Sequence, residues 1–231
     1  MRSISVFILI SLAVVSCKPK DPTVSDNIPL HDGMMVLCEG LYQQNNSSLS
    51  FINFNNNQSS NDFFLKTSGR LLGDTGNDMK RYGGKVYVIV NGSSTVEVIS
   101  GITGISIKQI PMTANGIGKQ PRSIAFYQDK ILVSCYDGYV DVIDTTSLEV
   151  QERILVGSNP EGMAVSNDKL YVANSGGLNF PNYDSTVSVV NLTTFTEELK
   201  VTVGINPVGV EVDDQGNIYV ITRGNFGSIP S

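Results

Sequence analysis

The sequence predicts an all-β protein, a β-propeller made of four-stranded antiparallel blades. The first observation is an internal repeat, in which similar strand-like segments recur at residues 84–88, 129–133, 168–172 and 216–220. Their central residues are separated by 45, 39 and 48 positions, and a period of about 40–50 residues is typical of propeller blades. The second observation is the composition, because 22 glycines in 231 residues and 41% hydrophobic residues suit a turn-rich β domain.

The N-terminus predicts export and a lipid anchor. Arg2 precedes an apolar stretch at residues 6–15, which is too short to span a bilayer comfortably. Residues 14–17 then read Val-Val-Ser-Cys, and a small residue before a cysteine at this point resembles the lipobox of bacterial lipoproteins. The resemblance implies a signal peptide at residues 1–16, acylation of Cys17 and an exported outer-membrane lipoprotein, with the periplasmic and cell-surface sides both open. An ordinary secretory signal with an incidental cysteine is the alternative.

The rest of the chain divides into a tether and five repeat units. Residues 17–31 comprise the lipidated cysteine and a polar, proline-containing stretch, which we expect to be a flexible tether. The propeller is expected over residues 32–231, in units at residues 32–69, 70–117, 118–157, 158–204 and 205–231, the last of them partial.

The unit at residues 158–204 shows its strands most clearly. Residues 162–165 form a short apolar strand, and residues 170–174 are rich in β-forming side chains. Residues 185–191 and 198–203 alternate polar and apolar, as half-buried strands do. The unit therefore contains four antiparallel strands, which is the content of one propeller blade.

The repeat, over roughly residues 32–231, resembles a known family. Residues 171–174 read Tyr-Val-Ala-Asn and residues 186–191 read Thr-Val-Ser-Val-Val-Asn, which resemble the YVTN-type repeats of YncE-like β-propellers. Residues 38–40, 48–52 and 72–79 are similar to a narrower group, the YncE-like surface lipoproteins of Bacteroidota, although Cys stands where Asn is expected at the start of the first segment. Some members of that group look like cobalamin-capturing lipoproteins that work with an outer-membrane transporter. The resemblance implies a corrinoid-like ligand, or such a transporter as partner.

The phase of the repeat predicts incomplete first and last blades. Residues 34–38 align with the second strand of a blade and residues 48–53 with the third, and the chain stops just after the second strand of its fifth unit. Because related propellers commonly have seven blades, we expect four to five blades of a truncated seven-bladed ring. An intact five-bladed ring is the alternative.

The repeat also predicts a rim of side chains around the propeller axis. One aligned position, just before the innermost strand, is occupied by Asn77, Arg122, Glu161 and Val208. These side chains could hold a polar ligand. Alternatively, Arg122 and Glu161 form an ion pair between adjacent blades.

The loops on the same face supply further candidates for ligand binding. An insertion after the strand at residues 170–174 carries aromatic and amide side chains, typical of a platform for a flat, partly apolar ligand. The alternative is that its aromatic residues cover the neighbouring blade. Besides the polar rim residues, the candidates are Tyr136, Asn174, Asn179, Phe180, Tyr183, Glu39 and Tyr42.

Several kinds of chemistry have no support in the sequence. No Gly-x-Ser-x-Gly sequence occurs, and the single histidine, His31, precedes the domain, so a Ser-His-Asp triad lacks its base. We therefore expect a binding protein without catalytic residues or cofactor; a metal-dependent propeller lactonase that uses Glu161 is the alternative. The net charge of −6 without a basic stripe argues against nucleic acid. Cys38 and Cys135 are expected to be free, half-buried thiols.

Overall fold

The computed structural model describes Leu30 and residues 32–225. The signal peptide, the lipidation site Cys17 and His31, which the sequence analysis singled out, lie outside the described residues.

The described residues form successive antiparallel sheets along the chain. The first sheet has three strands, β1 (Gly33–Cys38), β2 (Ser48–Asn53) and β3 (Gln58–Ser60), and is followed by a short helix, α1 (Phe63–Ser68). The second sheet has four strands in sequence order, β4 (Gly76–Tyr82), β5 (Lys85–Val90), β6 (Thr95–Ser100) and β7 (Ser106–Pro111). A small hairpin then projects from the connection to the next sheet, β8 (Thr113–Ala114) and β9 (Ile117–Gly118).

The third and fourth sheets repeat the four-stranded pattern. The third contains β10 (Pro121–Tyr127), β11 (Lys130–Cys135), β12 (Tyr139–Asp144) and β13 (Val150–Leu155). The fourth contains β14 (Pro160–Ser166), β15 (Lys169–Asn174), β16 (Thr186–Asn191) and β17 (Thr196–Thr202). The last described sheet is a pair, β18 (Pro207–Val212) and β19 (Ile218–Thr222). The prediction of an all-β protein built of four-stranded antiparallel blades is confirmed, and we call these sheets blades 1 to 5.

The hydrophobic core lies between blades rather than within one. Successive residues of a strand point to opposite faces of its sheet, so the second strand of each blade contacts both neighbours. On β5, Tyr87 and Ile89 pack against Ile131 and Val133 of blade 3. Val88, on the other side of the strand, packs against blade 1.

The first strands of neighbouring blades pack against one another, which places β4, β10, β14 and β18 nearest the axis. We call the face where these strands begin the upper face, and the face where they end the lower face. The chain enters the domain at the lower face, because the Leu30 amide donates to the carbonyl of Ile102 in the turn between β6 and β7, at 2.9 Å.

The two described cysteines are free, as predicted, but neither is half-buried. Cys135 is fully buried because its side of β11 faces the core shared with blade 2. Cys38 occupies the equivalent place on β1 and is exposed, since no described blade packs on that side of the first sheet.

Helix α1 was not predicted from the sequence. It is only six residues long and has two buried residues. Phe63 contacts Phe51 of blade 1, with ring centroids 5.4 Å apart, and Phe64 packs in the core between blades 1 and 2. No helix within residues 32–225 is long and apolar enough to cross a membrane.

Candidate functional site

The upper face is built by a backbone turn that recurs at the start of each innermost strand. A non-glycine residue with positive φ comes first, then Gly76 or a proline, and then the predicted rim residue. The positive-φ residues are Thr75 (58°), Gln120 (53°), Asn159 (44°) and Asn206 (57°). The pairing with the second strand shifts register at each rim residue. A β-bulge of this kind redirects a side chain out of the regular alternation, here onto the rim.

A second set of equivalent residues directly follows the second strand of blades 2 to 5. The carbonyls of the four positive-φ residues accept hydrogen bonds from the amides of Asn91, Tyr136, Ser175 and Arg223, at 2.8, 3.1, 3.2 and 2.9 Å. Each of these four residues follows the repeat's central residue by four positions. The sequence analysis selected only Tyr136 from this set. The same spacing would have identified Arg223, which is exposed on blade 5.

Arg122, Glu161 and Tyr136 form a hydrogen-bonded group between blades 3 and 4. Arg122 Nε lies 3.0 Å from Glu161 Oε2, and its guanidinium stacks 4.8 Å from the centre of the Tyr136 ring. The Tyr136 hydroxyl donates to Glu161 Oε1. The ion pair that the sequence offered as one alternative is therefore present, and Glu161 is 7% exposed.

The electrostatic environment of this group keeps Tyr136 protonated. Burial and the negative charge of Glu161 raise the pKa of the Tyr136 hydroxyl well above its ordinary value, against the opposing effect of Arg122 and Arg223. Tyr136 is thus a permanent hydrogen-bond donor to Glu161, and both oxygens of Glu161 already have donors.

The next rim residue, Asn77, joins blades 2 and 3. Its side-chain amide donates to the carbonyl of Arg122 at 2.5 Å, while the Asp78 carboxylate accepts from the amide of Ile124 at 2.9 Å. Asn77 also lines an open groove of about 400 Å³ together with Glu39 of blade 1. The structure therefore brings these two predicted residues together.

The insertion at residues 175–185 is an ordered loop with an apolar tip. The amide of Leu178 donates to Asn159 Oδ1 at 3.1 Å, and the amide of Asp184 donates to the carbonyl of Ser175 at 3.1 Å. Phe180 is 73% exposed, so within the described residues it does not cover a neighbouring blade. Its ring meets that of Tyr183 edge to face, with centroids 6.1 Å apart.

Asn174 requires a correction, because the structure removes it from the ligand candidates. It is fully buried, and its amide oxygen accepts from the amide of Gly157 at 3.0 Å. Its amide nitrogen donates to the hydroxyls of Thr186 and Ser188, at 3.0 and 2.9 Å. Asn174 thus holds blade 4 against the connection from blade 3.

The other candidates are divided between separate places on the upper face. Asn179 and Tyr136 line an open groove of about 420 Å³ between blades 3 and 4, to which Asp137, Asp184 and Lys200 contribute charge. Tyr42 lies apart on the loop of blade 1 and is 71% exposed. The described residues contain no group of three or more His, Cys, Asp or Glu side chains that could hold a metal ion.

The match to a family model identifies the family. Residues 32–229 match DUF5074, described as a domain of unknown function. The chain belongs to this family. No curated protein matches it.

Solved structures with similar folds are β-propellers or contain one. Hydrazine synthase of Kuenenia stuttgartiensis is 18% identical over 75% of this chain and 49% of its own, with a TM-score of 0.61. Sqt1 of Saccharomyces cerevisiae is 13% identical over 83% and 57%, with a TM-score of 0.59. The WD40 propeller domain of Doa1 is 15% identical over 65% and 48%, with a TM-score of 0.54. The chain therefore spans about half the length of these structures, and at such identities the likeness shows the propeller fold alone.

Proposed function

We propose that this DUF5074 protein is a non-catalytic, lipid-anchored propeller of the outer membrane that binds a small molecule or a partner protein through its upper face. The observation that carries the proposal is a polar rim surrounded by exposed apolar loop tips. Among the described residues, the five most exposed large apolar side chains all lie on upper-face loops. They are Leu41 (67%), Tyr42 (71%), Ile117 (73%), Leu178 (63%) and Phe180 (73%).

The composition of these loops also favours binding. Residues 40–47, 112–118 and 175–183 contain no Asp, Glu, Lys or Arg, and are rich in Asn, Gly, Ser and aromatic residues. Recognition surfaces are depleted in charge at their centre, and loops of this composition combine rigid aromatic contacts with adaptable hydrogen bonding. Exposed apolar side chains at the tips of hydrogen-bonded loops therefore favour a role in contacting a ligand.

A non-catalytic role is supported by the state of Glu161. A general base needs a carboxylate that can accept a proton from substrate, whereas both oxygens of Glu161 accept from Arg122 and Tyr136. In this arrangement Glu161 stabilises the junction of blades 3 and 4 through Arg122 and Tyr136.

Under this proposal the tether and the binding face lie on opposite sides of the domain. The chain enters at Leu30, beside Ile102 on the lower face. The twelve residues between the proposed lipidated Cys17 and Leu30 could span at most about 45 Å. The tether would therefore join the domain on its lower face and leave the upper-face loops clear of the point where the chain enters.

We infer a corrinoid as the first ligand to test. A corrinoid is flat, partly apolar and bordered by amide groups, which complements the exposed ring of Phe180 together with the side-chain amide of Asn179 in the adjacent groove. The full-length chain in detergent would be titrated with cyanocobalamin, and then with haem as a flat macrocycle without that amide border. We expect saturable binding of cyanocobalamin, with a higher affinity than that for haem. If titration with cyanocobalamin released no heat, or if the protein did not retain cyanocobalamin during dialysis, the corrinoid assignment would be rejected.

A further inference from the structure

A cavity away from the rim lies on the outer side of blade 1. It has a volume of about 330 Å³ and opens between the loop that follows β1 and helix α1. Its floor is formed by Leu49, Phe64 and Leu72, which are 0%, 1% and 2% exposed. The volume falls within the range of small-molecule sites.

The walls of this cavity are held by hydrogen bonds on both sides. The amide of Ser47 donates to the carbonyl of Gly73 at 3.0 Å, and the amide of Gly76 donates to Ser47 Oγ at 2.7 Å. The loop itself is closed by Asn46, whose Oδ1 accepts from the amide of Leu41 at 2.8 Å. The cavity therefore exists in the folded chain without a rearrangement.

The residues at the mouth define its chemistry. Leu65 and Leu71 are 41% and 51% exposed, so two apolar side chains border the opening. The side-chain amides of Gln44 and Asn45 line the same opening and make no hydrogen bond with another described residue. Asp62 is the one charged residue among those that line the cavity.

We propose that this cavity binds a small, uncharged molecule that has an apolar body and one hydrogen-bonding group. The apolar body would lie on Leu49, Phe64 and Leu72. The polar group would face the amides of Gln44 and Asn45. An anion would be disfavoured, because Asp62 repels it and no basic side chain lines the cavity. The cavity shares the blade 1 loop with the upper face but contains none of its exposed apolar tips, so this proposal does not rest on the proposed upper-face function.

The test uses indole as a neutral probe and indole-3-carboxylate as its anionic counterpart. Binding to the full-length chain would be followed by ligand-observed NMR. Leu65→Gln and Leu71→Gln alter half-exposed residues and should leave the fold intact. Leu199→Gln, on the exposed edge strand β17, is the matched control, because Leu199 is 49% exposed and lies away from both proposed sites.

We expect saturable indole binding that weakens about five- to tenfold in either mouth variant, since each removes part of the apolar contact with the probe. The control variant should bind indole as the wild type does. The carboxylate should bind more weakly than indole, and Asp62→Asn should narrow that difference. Absence of saturable indole binding, equal loss in Leu199→Gln, or no effect of the mouth variants would overturn the proposal.

Discussion

At the scale of single residues, blades 2 and 3 each have a buried carboxylate in the middle of their third strand. Asp141 on β12 is fully buried and bonds to Lys119 Nζ at 2.6 Å and to Arg153 Nε at 2.7 Å. Glu97 occupies the same place on β6 and pairs with Arg70 at 2.7 Å. Lys119 and Arg70 both come from the connection that precedes the blade, so each pair fastens a blade to that connection. The sequence analysis missed these pairs, although an acidic residue between two valines in a buried strand was a visible signal.

We expect Asp141→Asn to destabilise the protein by about 3 kcal/mol, because it leaves the buried, positively charged Lys119 ammonium without its negatively charged partner. Denaturant unfolding followed by circular dichroism measures this. Asp129→Asn is the control, since the Asp129 side chain is 63% exposed. Adding Lys119→Met to Asp141→Asn should recover part of the loss; equal stabilities of Asp141→Asn and the control would contradict the account.

Asp144 gives a pH-dependent prediction. Hydrogen bonds from the Ser147 amide, Lys130 and the Thr146 amide hold the pKa of this carboxyl well below its ordinary value of 3.8. A depressed folded-state pKa stabilises the protein above the unfolded-state pKa, and this contribution is lost as the pH falls below it. We therefore expect Asp144→Asn to lower the melting temperature at pH 7, with a gap to wild type that shrinks below about pH 4. A gap that stays constant with pH would refute the assignment.

The two described cysteines should differ in reactivity. Burial raises the pKa of the Cys135 thiol well above its ordinary value, whereas Cys38 is exposed. In a Cys17→Ser version of the full chain, iodoacetamide at pH 8 should label Cys38 and spare Cys135, with both labelled after unfolding. The extent of labelling of each cysteine would be measured by mass spectrometry of peptides. If Cys135 in the native protein were labelled as fast as Cys38, this would contradict the packing described for β11.

At the scale of elements, the regular strands could be predicted from the sequence and the departures from regularity could not. β-forming side chains located β15, and alternation of polar and apolar residues located β16 and β17. The half-burial that alternation predicts is not observed, because β16 lies inside the sheet and is buried on both sides whereas β17 is the edge strand and is mostly exposed. The bulges at the rim residues depend on local backbone geometry, which alternation does not encode. Asn174 was misjudged because its position at a strand end suggested exposure. In the structure the connection before β14 covers it.

The loop at residues 175–185 yields a prediction at this scale. Leu178 and Phe180 are 63% and 73% exposed, so replacing both with serine should change the free energy of unfolding by less than about 0.5 kcal/mol. The same double variant should lose affinity for an upper-face ligand. Thermal denaturation and titration together separate the two effects; a large loss of stability would mean that these side chains pack against protein.

At the scale of the whole molecule, the period of the repeat was enough to predict the propeller, since each blade needs neighbours on both sides to bury its sheet. The rim positions followed from the same alignment. The ion pair between Arg122 and Glu161 was one of the alternatives that this alignment offered. The contacts of Tyr136 with both residues required the structure, because the repeat aligns backbone positions and does not encode side-chain contacts.

The two faces of the molecule also differ in the loops that they carry. The lower face receives the chain at Leu30, and the upper face carries uncharged loop tips around a polar rim. Aromatic residues are exposed on both, since Phe54 in the turn between β2 and β3 is 56% exposed on the lower face. This residue provides a matched test of which face binds.

The central claim is that the upper face is the binding face, and calorimetric titration of the full-length chain with cyanocobalamin tests it most directly. Three proteins would be compared: wild type, Tyr42→Ser with Phe180→Ser on the upper face, and Phe54→Ser on the lower face. We expect the upper-face variant to weaken binding at least about tenfold and the lower-face variant to match wild type. Equal affinities for all three proteins, or a loss confined to Phe54→Ser, would contradict the assignment.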